Sequence, residues 1–377
     1  MISPTPKKTW CEQDDHASFH KFTDFNNWLD TKSNEALLVL NTAGIGQITH
    51  PAKSLFAGDR NAYNLAFKEF HNNQLNEALG KSQIEDIFDD LHWFDQNKSR
   101  LDQLLKLLKK RSVVPFIGAG ISVDGGFSTW KDHLRKQGKT AGIDNSEIDT
   151  MLDKGEYEEI IAKIEGELGP DVFAQQIRDD FSRTGEIKDV TLRISELFTD
   201  TLITTNYDTL LEQVYDTGDT TEVEVLSGSD VMNIPSPNKI TVIKIHGNVN
   251  DPHKCILGKT QYDDAYGAEK IDLIKAIPKV LKYYYINSTL LFLGCSLNND
   301  RTIDVFKAIK SALGEQILPQ HFAFEQIPEA SEEVVLRNAE LLRLGITPIW
   351  FPPKEYHKVE EILRYAHNDL SYQETLN

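Results

Sequence analysis

Short apolar runs separated by stretches of helical periodicity dominate the chain after about residue 100. A first run begins at Val113, and five later runs have the length and the β-branched and aromatic content of strands. These five are Thr201–Thr205, Ile240–Ile245, Thr289–Leu293, His321–Phe324 and Ile346–Phe351. Strands that alternate with helical segments are typical of a mostly parallel sheet with helices on both faces. The pattern therefore predicts an α/β fold.

Two other parts of the chain show helical periodicity without strand-like runs. Residues 1–100 are polar, with aromatic and leucine positions at loose helical spacing, and the amphipathic stretch Leu101–Leu108 leads from them into the first apolar run. We therefore predict an N-terminal helical extension over residues 1–100 and a second domain over residues 101–377. Within that domain we predict a helical insertion at about residues 145–196. Its helix-like stretches are Ile148–Leu152, Tyr157–Ile164, Val172–Phe181 and Val190–Leu197.

The charge balance limits the classes of partner. The 377 residues carry 40 Lys and Arg against 58 Asp and Glu, a formal net charge of −18. Such a surface repels the backbone of nucleic acids, so we expect no direct nucleic-acid binding. The cysteines, Cys11, Cys255 and Cys295, are too far apart for a paired-thiol zinc signature and suit a reducing compartment. Because the sequence shows neither the apolar core of a signal peptide nor a membrane-spanning apolar run, it predicts a cytoplasmic protein.

The first apolar run ends in a glycine bend, formed by Gly118, Ala119 and Gly120, just before a predicted helix. In Rossmann-like sheets such a bend lets backbone N–H groups reach a pyrophosphate at the start of the helix. A single Gly-x-Gly also fits a close strand-to-helix junction without a ligand. The later strand ends distinguish the two interpretations, because ligands of parallel sheets collect at the carboxyl ends of the strands.

Three later strand-like runs end in side chains that suit a nucleotide site. Asn206 offers a donor and an acceptor to a ribose or a water, although it also suits an Asx turn. His246 has the near-neutral titration of a general base, although a lone histidine often serves only a structural hydrogen bond. Ser296 suits a contact to a ribose or phosphate oxygen, or a helix cap.

Four motifs, GAGIS, TTNYD, KIHG and LGCSL, follow one another along the chain. In this order they resemble the catalytic core of the sirtuins, over about Leu101–Phe351. The resemblance implies NAD⁺ binding, with Asn206 positioning ribose or water and His246 acting as general base. The predicted nucleotide-binding residues lie in these motifs or in the loop after the first of them. They are Gly118, Ala119, Gly120, Ser122, Trp130, Thr205, Asp208, Gly294 and Ser296.

The chain also departs from the sirtuins that deacetylate proteins. Those enzymes usually carry four zinc-binding cysteines, which this chain cannot supply. Their loop Gly-Ile-Pro-Asp-Phe-Arg is here Gly126–Lys131, where proline, aspartate and arginine are absent and an aromatic residue remains. In both respects the chain is similar to the bacterial sirtuin-like NADases of antiviral defence, which replace the zinc module with helices. This resemblance implies an NAD⁺ glycohydrolase that needs no metal and depletes NAD⁺. We further expect Trp130 to close the nicotinamide side of the site.

Unrestrained loss of NAD⁺ would kill the host, so we expect regulated activity. The extension and the helical insertion over the site are the candidate regulatory elements, acting through contacts in a homo-oligomer or through a partner. The resemblance implies a HerA-type DNA-translocating ATPase, an Argonaute-like protein or a fused sensor domain; we expect a separate partner and rank the ATPase first. Two alternatives remain open: a zinc-free NAD-dependent protein deacylase, and a non-catalytic sensor of NAD or ADP-ribose.

Overall fold

The computed structural model describes residues 19–32, 34–42, 44, 46–88, 92–216, 222–298, 300–314 and 318–376. Contacts between Cα atoms divide the chain into two compact units. One consists of residues 1–81 with residues 364–377, and the other of residues 82–363. The domain boundary expected at residue 100 stays a prediction.

The first unit is helical over its described residues. Its helices are α1 (Thr23–Thr31), α2 (Asn34–Thr42), α3 (Pro51–Gly58), α4 (Arg60–Ala78) and the part of α18 (Lys358–Leu376) from residue 364 onward. Phe25 packs edge-to-face against Tyr63 and Phe67, with ring centroids 5.0 and 5.1 Å apart. The hydroxyl of Tyr63 donates to Asn26 Oδ1 at 2.7 Å, so the polar atom of this aromatic core is paired. The loosely spaced aromatic residues noted in the sequence thus form the core of a helical unit.

The second unit is built on a sheet of seven strands, all paired in parallel, in the order β3-β4-β2-β1-β5-β6-β7. The strands are β1 (Val113–Ile117), β2 (Thr201–Thr204), β3 (Val223–Ser227), β4 (Ile240–Lys244), β5 (Thr289–Leu293), β6 (His321–Gln326) and β7 (Ile346–Phe351). The predicted parallel α/β sheet is confirmed. The sequence did not predict β3, because this edge strand has only one buried residue, Leu226, and lacks an apolar run.

Helices cover both faces of this sheet. The remaining helices of the chain are α5 (Lys81–Phe88), α6 (His92–Lys109), α7 (Ala119–Asp124), α8 (Trp130–Thr140), α9 (Asn145–Lys154), α10 (Tyr157–Leu168), α11 (Pro170–Phe181), α12 (Asp189–Leu197), α13 (Leu210–Tyr215), α14 (Lys259–Tyr266), α15 (Ala276–Asn287), α16 (Arg301–Leu313) and α17 (Ser331–Arg343), with 3₁₀ turns at Gly228–Met232 and Pro252–Lys254. Phe116 and Phe292 share one core with α15 and α16. Their strand neighbours Ile117 and Leu293, which point to the opposite face, are also fully buried. Burial on both faces explains why the strands appear as continuous apolar runs.

The order of the strands places a crevice beside β1. In the sheet, β2, β4 and β3 lie in that order on one side of β1, whereas β5, β6 and β7 lie on the other side. Ligands of open parallel sheets bind outside the carboxyl ends of the strands at such a change of direction. The strand ends selected from the sequence, after β1, β2, β4 and β5, therefore meet at one edge. Over the described ranges, no helix is long and apolar enough to cross a membrane.

Side chains of α6 satisfy the open edge of β7. Asn97 Nδ2 donates to Trp350 O at 2.9 Å, and Trp350 N–H donates to Asn97 Oδ1 at 2.7 Å. Arg100 donates to Pro348 O at 2.8 Å, and burial lowers the pKa of its guanidinium to about 10. A buried strand edge needs partners for its backbone groups. Asn97 and Arg100, two polar residues on the buried face of α6, supply these partners for β7.

Replacing Asn97 with alanine is expected to lower the free energy of unfolding by about 3 kcal/mol, because both backbone groups of Trp350 lose their partner in a buried site. Urea unfolding followed by tryptophan fluorescence measures the change. Ser99→Ala, at an exposed position of the same helix, is the matched control and is expected to change stability by less than about 0.5 kcal/mol. Equal stabilities of the two variants would contradict the edge-pairing role.

Candidate active site

Asn206 lies just beyond the carboxyl end of β2 and is only 7% exposed. Its Nδ2 donates to Gly118 O at 3.1 Å and to Ser122 Oγ at 3.0 Å, which fixes the orientation of the amide. Its Oδ1 is buried and has no hydrogen-bond partner among the described residues. An unsatisfied buried acceptor costs about 1–3 kcal/mol. The side chain is therefore held rigidly and keeps one acceptor available for a ligand.

The glycine bend after β1 packs directly on the bend after β5. Gly118 N–H donates to Leu293 O at 2.8 Å, and Gly120 N–H donates to Gly294 O at 3.0 Å. A Cβ on Gly118 would lie 2.4 Å from Gly294 O, and a Cβ on Gly120 2.9 Å from Gly294 Cα, so side chains do not fit there. This close packing of the two bends already explains why residues 118 and 120 are both glycine. The N–H of Ala119 has no partner among the described residues and is the donor that the bend leaves for an anion.

His246 follows β4 on the strand next to β2. Residues Thr204 and Lys244 are in register, so Asn206 and His246 each lie two residues beyond a registered pair at the same sheet edge. His246 Nε2 and Tyr266 Oη are 2.7 Å apart and share a hydrogen bond. Burial lowers the pKa of His246 to about 4, which keeps its imidazole neutral at pH 7. A proton acceptor at Nδ1 requires the tautomer in which Nε2–H donates to Tyr266.

Two tyrosines that the sequence analysis missed surround His246. Tyr262 and Tyr266 lie one helical turn apart on α14, with ring centroids 5.4 and 6.0 Å from that of His246. Burial raises the pKa of both phenols, so both stay protonated near neutral pH. The spacing Tyr-x-x-x-Tyr, which places two rings on one helix face, was the only signal in the sequence.

Three further residues of the predicted nucleotide site, Ser122, Thr205 and Asp208, form hydrogen bonds that support the segment around Asn206. Ser122 accepts the hydrogen bond from Asn206 described above. Thr205 donates its N–H to Ile117 O at 3.3 Å and thereby continues the pairing of β2 with β1. Asp208 is buried, and its carboxylate accepts from Leu210 N–H at 3.0 Å at the start of α13. Asp208 therefore forms an Asx turn that leads into α13.

Trp130 begins α8 and is half-buried. Its ring stacks on His133 at 5.3 Å and lies 5.5 Å from the ring of Tyr207, the residue after Asn206. The aromatic residue of the loop therefore packs beside the segment that carries the predicted catalytic asparagine. Its contact with nicotinamide stays a prediction.

Ser296 is exposed after β5, and its carbonyl accepts from Arg337 Nη2 at 2.9 Å. The helix cap that the sequence allowed for Ser296 is instead formed by Asp300, whose carboxylate accepts from Ile303 N–H at 2.9 Å at the start of α16. The Ser296 side chain is thus left at the sheet edge where the other motifs meet. A nucleotide contact by Ser296 stays a prediction.

Lys244, at the end of β4, is a supporting residue that the sequence analysis missed. It is 1% exposed, and its ammonium donates to Asp208 O and to Glu212 Oε1, the latter at 2.8 Å. Removing one partner of a buried ion pair typically costs about 3–5 kcal/mol. Lys244 therefore fixes the loop between Asn206 and α13. The sequence feature that could have identified Lys244 is its position as a lysine inside the apolar run VIKIHG.

The helical insertion packs on the loops at this sheet edge. Helices α8 to α11 share a core with Tyr207, Val249 and Leu257, which lie beyond β2 and β4. Arg301, the first residue of α16, binds Glu158 on α10 at 2.9 and 3.0 Å and Asp263 on α14 at 2.7 Å. These ion pairs raise the pKa of Arg301, so the guanidinium stays charged. Besides this shared core, Arg301 therefore links the predicted helical cover to α14 and α16.

The described residues contain no group of three or more His, Cys, Asp or Glu side chains arranged to hold a metal ion. Cys255 and Cys295 are free thiols, and burial raises the pKa of both. Cys11 lies outside the described residues. Independence from zinc stays a prediction.

Comparison with known proteins supports the resemblance, and the matched family range contains three of the four motifs. Residues 200–349 match a family model described as SIR2-like domain. A protein named NAD(+) hydrolase ThsA from Cytobacillus dafuensis is 24% identical over 282 residues, which cover 70% of this chain and 54% of the relative. A protein of the same name from Bacillus cereus strain MSX-D12 is 24% identical over 277 residues, covering 70% and 56%. The chain thus spans about half the length of these relatives.

A solved structure described as a crystal structure of a SIR2 homolog–NAD complex aligns with 71% of this chain and 94% of its own, at 12% identity and a TM-score of 0.33. The family match and the two relatives confirm the predicted similarity to sirtuin-like bacterial NAD⁺-hydrolysing proteins.

Proposed function

We propose that this chain is an NAD⁺ glycohydrolase that cleaves NAD⁺ into nicotinamide and ADP-ribose and, by depleting NAD⁺, acts as an effector of bacterial defence against phage. The four motifs and the relatives named NAD(+) hydrolase support the reaction. The role in defence rests on the resemblance to antiviral sirtuin-like NADases. We place the protein in the cytoplasm, where NAD⁺ is available.

The observation that carries this proposal is the unused acceptor of Asn206. Its Oδ1 is buried beside the glycine bend, while both hydrogen bonds of Nδ2 hold the amide in place. A hydrolase needs an acceptor that orients the attacking water, and a fixed acceptor avoids reorganisation during the reaction. A structural Asx turn would not leave this atom unpartnered.

In the proposed mechanism, the bond between nicotinamide nitrogen and ribose C1′ breaks, and its electron pair leaves with nicotinamide. The sugar then carries a developing positive charge, and the oxygen of a water held by Asn206 Oδ1 forms the new bond to C1′. The proton of that water passes to Nδ1 of the neutral His246 and then to solvent. Ala119 N–H donates to the diphosphate, and Trp130 closes the nicotinamide side.

We further propose that the chain forms a homo-oligomer and responds to a separate activating partner, with a HerA-type DNA-translocating ATPase ranked before an Argonaute-like protein. NAD⁺ is the substrate, and no resident metal takes part. The trigger would act on the helical cover that Arg301 anchors, because this cover packs on the loop after Asn206.

Incubation of the purified protein with NAD⁺, alone and with the product of the neighbouring gene, tests the reaction. Liquid chromatography should show nicotinamide and ADP-ribose in equal amounts, with faster release when the partner is present, and no effect of a metal chelator. Nicotinamide release that requires an acylated peptide would replace the proposal by a deacylase. Saturable NAD⁺ binding without product under both conditions would replace it by a sensor.

A further inference from the structure

The loop that follows β5, which we call the β5 loop, consists of residues 294–297 and is bound by Arg337 of α17. Arg337 Nη2 donates to Ser296 O at 2.9 Å, and Nη1 donates to Leu297 O at 3.3 Å. The two carbonyls lie 41 and 40 positions earlier in the chain. One guanidinium thus holds two successive carbonyls at the carboxyl end of β5, the end of the sheet that carries the candidate active site.

Two carboxylates keep this guanidinium in place. Arg337 Nη2 also donates to Glu325 on β6, at 3.3 and 3.4 Å, and Nη1 donates to Glu340 on α17 at 2.9 Å. The side chains of Arg337 and Glu325 are 16% and 12% exposed, whereas that of Glu340 is 51% exposed. Each Nη atom therefore has one carbonyl and one carboxylate acceptor, and the planar guanidinium holds these partners in a fixed geometry.

The β5 loop has a backbone that its sequence disfavours. Leu297 has φ +47°, in the left-handed region that favours glycine. A leucine keeps such a conformation only where its surroundings enforce it, and strain of this kind collects at binding sites. The surroundings here are the core shared with α15 and α16, in which the Leu297 side chain is buried, and the hydrogen bond from Arg337. Packing and Arg337 together therefore impose the conformation of the loop.

At its start, the β5 loop contacts the glycine bend. Gly120 N–H donates to Gly294 O at 3.0 Å, and a Cβ on Gly294 would lie 2.6 Å from Ile121 N. Ser296, the predicted nucleotide contact, lies between Gly294 and Leu297. The glycine bend thus fixes one end of the β5 loop, and Arg337 fixes the other.

We propose that Arg337 is a positioning residue for the nucleotide, because it holds the β5 loop in the conformation that places Ser296 beside NAD⁺. This inference rests on the proposed function, since it assigns Ser296 to the same nucleotide site. A loop that is ordered in advance loses little entropy on binding, and the apparent affinity falls in proportion when the binding conformation is only partly populated. Arg337 therefore acts on the affinity for the nucleotide, whereas the chemical step belongs to Asn206 and His246.

Arg337→Lys tests this role, because lysine keeps a charge for Glu325 but lacks the planar fork that binds two carbonyls. Burial raises the pKa of Glu325 to about 7, so an assay at about pH 8 keeps this carboxylate charged. We expect KM for NAD⁺ and Kd for ADP-ribose to rise about tenfold, with kcat within about threefold of wild type. Thermal unfolding shows whether the fold is retained.

Glu340→Gln is the matched control, because it removes the exposed carboxylate and leaves both carbonyl contacts of Arg337 in place. Its KM should equal that of wild type. An unchanged KM and Kd in Arg337→Lys, or a loss confined to kcat, would overturn the positioning role while wild-type turnover upholds the proposed function. A wild-type protein that neither binds nor hydrolyses NAD⁺ would overturn both.

Hydrogen–deuterium exchange of the wild-type protein provides a measurement that needs no variant. Saturation with ADP-ribose should slow exchange in peptides that contain the β5 loop and in peptides that contain Asn206. Protection of the Asn206 peptides alone would place Ser296 outside the nucleotide site. That result would overturn the role of Arg337 and leave the proposed function standing.

Discussion

Asn206→Ala is expected to lower kcat for NAD⁺ hydrolysis by about 10³-fold, because the variant loses the buried acceptor that orients the attacking water. The protein should stay folded, since Asn206 contributes two side-chain hydrogen bonds among the many that hold this edge of the sheet. Nicotinamide release measures the rate under conditions in which the wild type is active. Thermal unfolding reports whether the fold is retained.

Ser122→Ala separates catalysis from positioning. It removes one of the two hydrogen bonds that orient Asn206 but leaves the amide oxygen in place. We expect its kcat to fall by less than about tenfold, the usual effect of one neutral hydrogen bond. A folded Asn206→Ala protein with wild-type kcat would refute the catalytic assignment, and so would equal losses in the two variants.

His246→Gln is expected to lower kcat by about 10²- to 10⁴-fold, the usual contribution of a general base. Glutamine keeps a polar group near Tyr266 but cannot take up a proton at neutral pH. Tyr266→Phe is the matched variant, because it removes the hydrogen bond that holds the imidazole and leaves the imidazole itself. Its kcat should fall less than that of His246→Gln. If the two variants lose the same activity, His246 acts as a structural residue.

The pH dependence provides a separate test of His246. Since burial lowers its pKa to about 4, the imidazole remains an unprotonated base well below pH 6.5. We therefore expect kcat/KM to show an acid limb near pH 4 instead of near 6.5, the value of an exposed histidine. The same lowered pKa makes the unfolded chain bind more protons than the folded one between about pH 6.5 and 4. The free energy of unfolding should therefore fall as the pH is lowered from about 6.5 to 4, and it should fall less in His246→Gln. An acid limb of kcat/KM near pH 6.5 would contradict the buried position of His246.

The positions of the candidate site followed from the sequence because they need only local information. Asn206 and His246 each come directly after a short apolar run. Parallel strands place their carboxyl ends at one edge, so recognising the runs is enough to bring the two residues to the same edge. Their register, two residues beyond the pair of Thr204 and Lys244, agrees with this reasoning.

The contacts around those residues required the tertiary structure. The glycines at 118 and 120 are explained by Gly294, which approaches them from a strand more than 170 residues later in the chain. The ion pair of Lys244 with Glu212 and the hydrogen bond of His246 with Tyr266 join different elements in the same way. Sequence spacing contains no information about such pairs.

By itself, the sequence determined the parallel α/β architecture, the helical insertion and the strand ends that carry the site, because periodicity and turn residues act over a few neighbouring positions. Only the tertiary structure decided the strand order, the edge strand β3 and the pairing of Asn97 with β7. The physical reason is that these features depend on which distant segments pack together. Burial then decides which donors, acceptors and charges remain unpaired and available to a ligand.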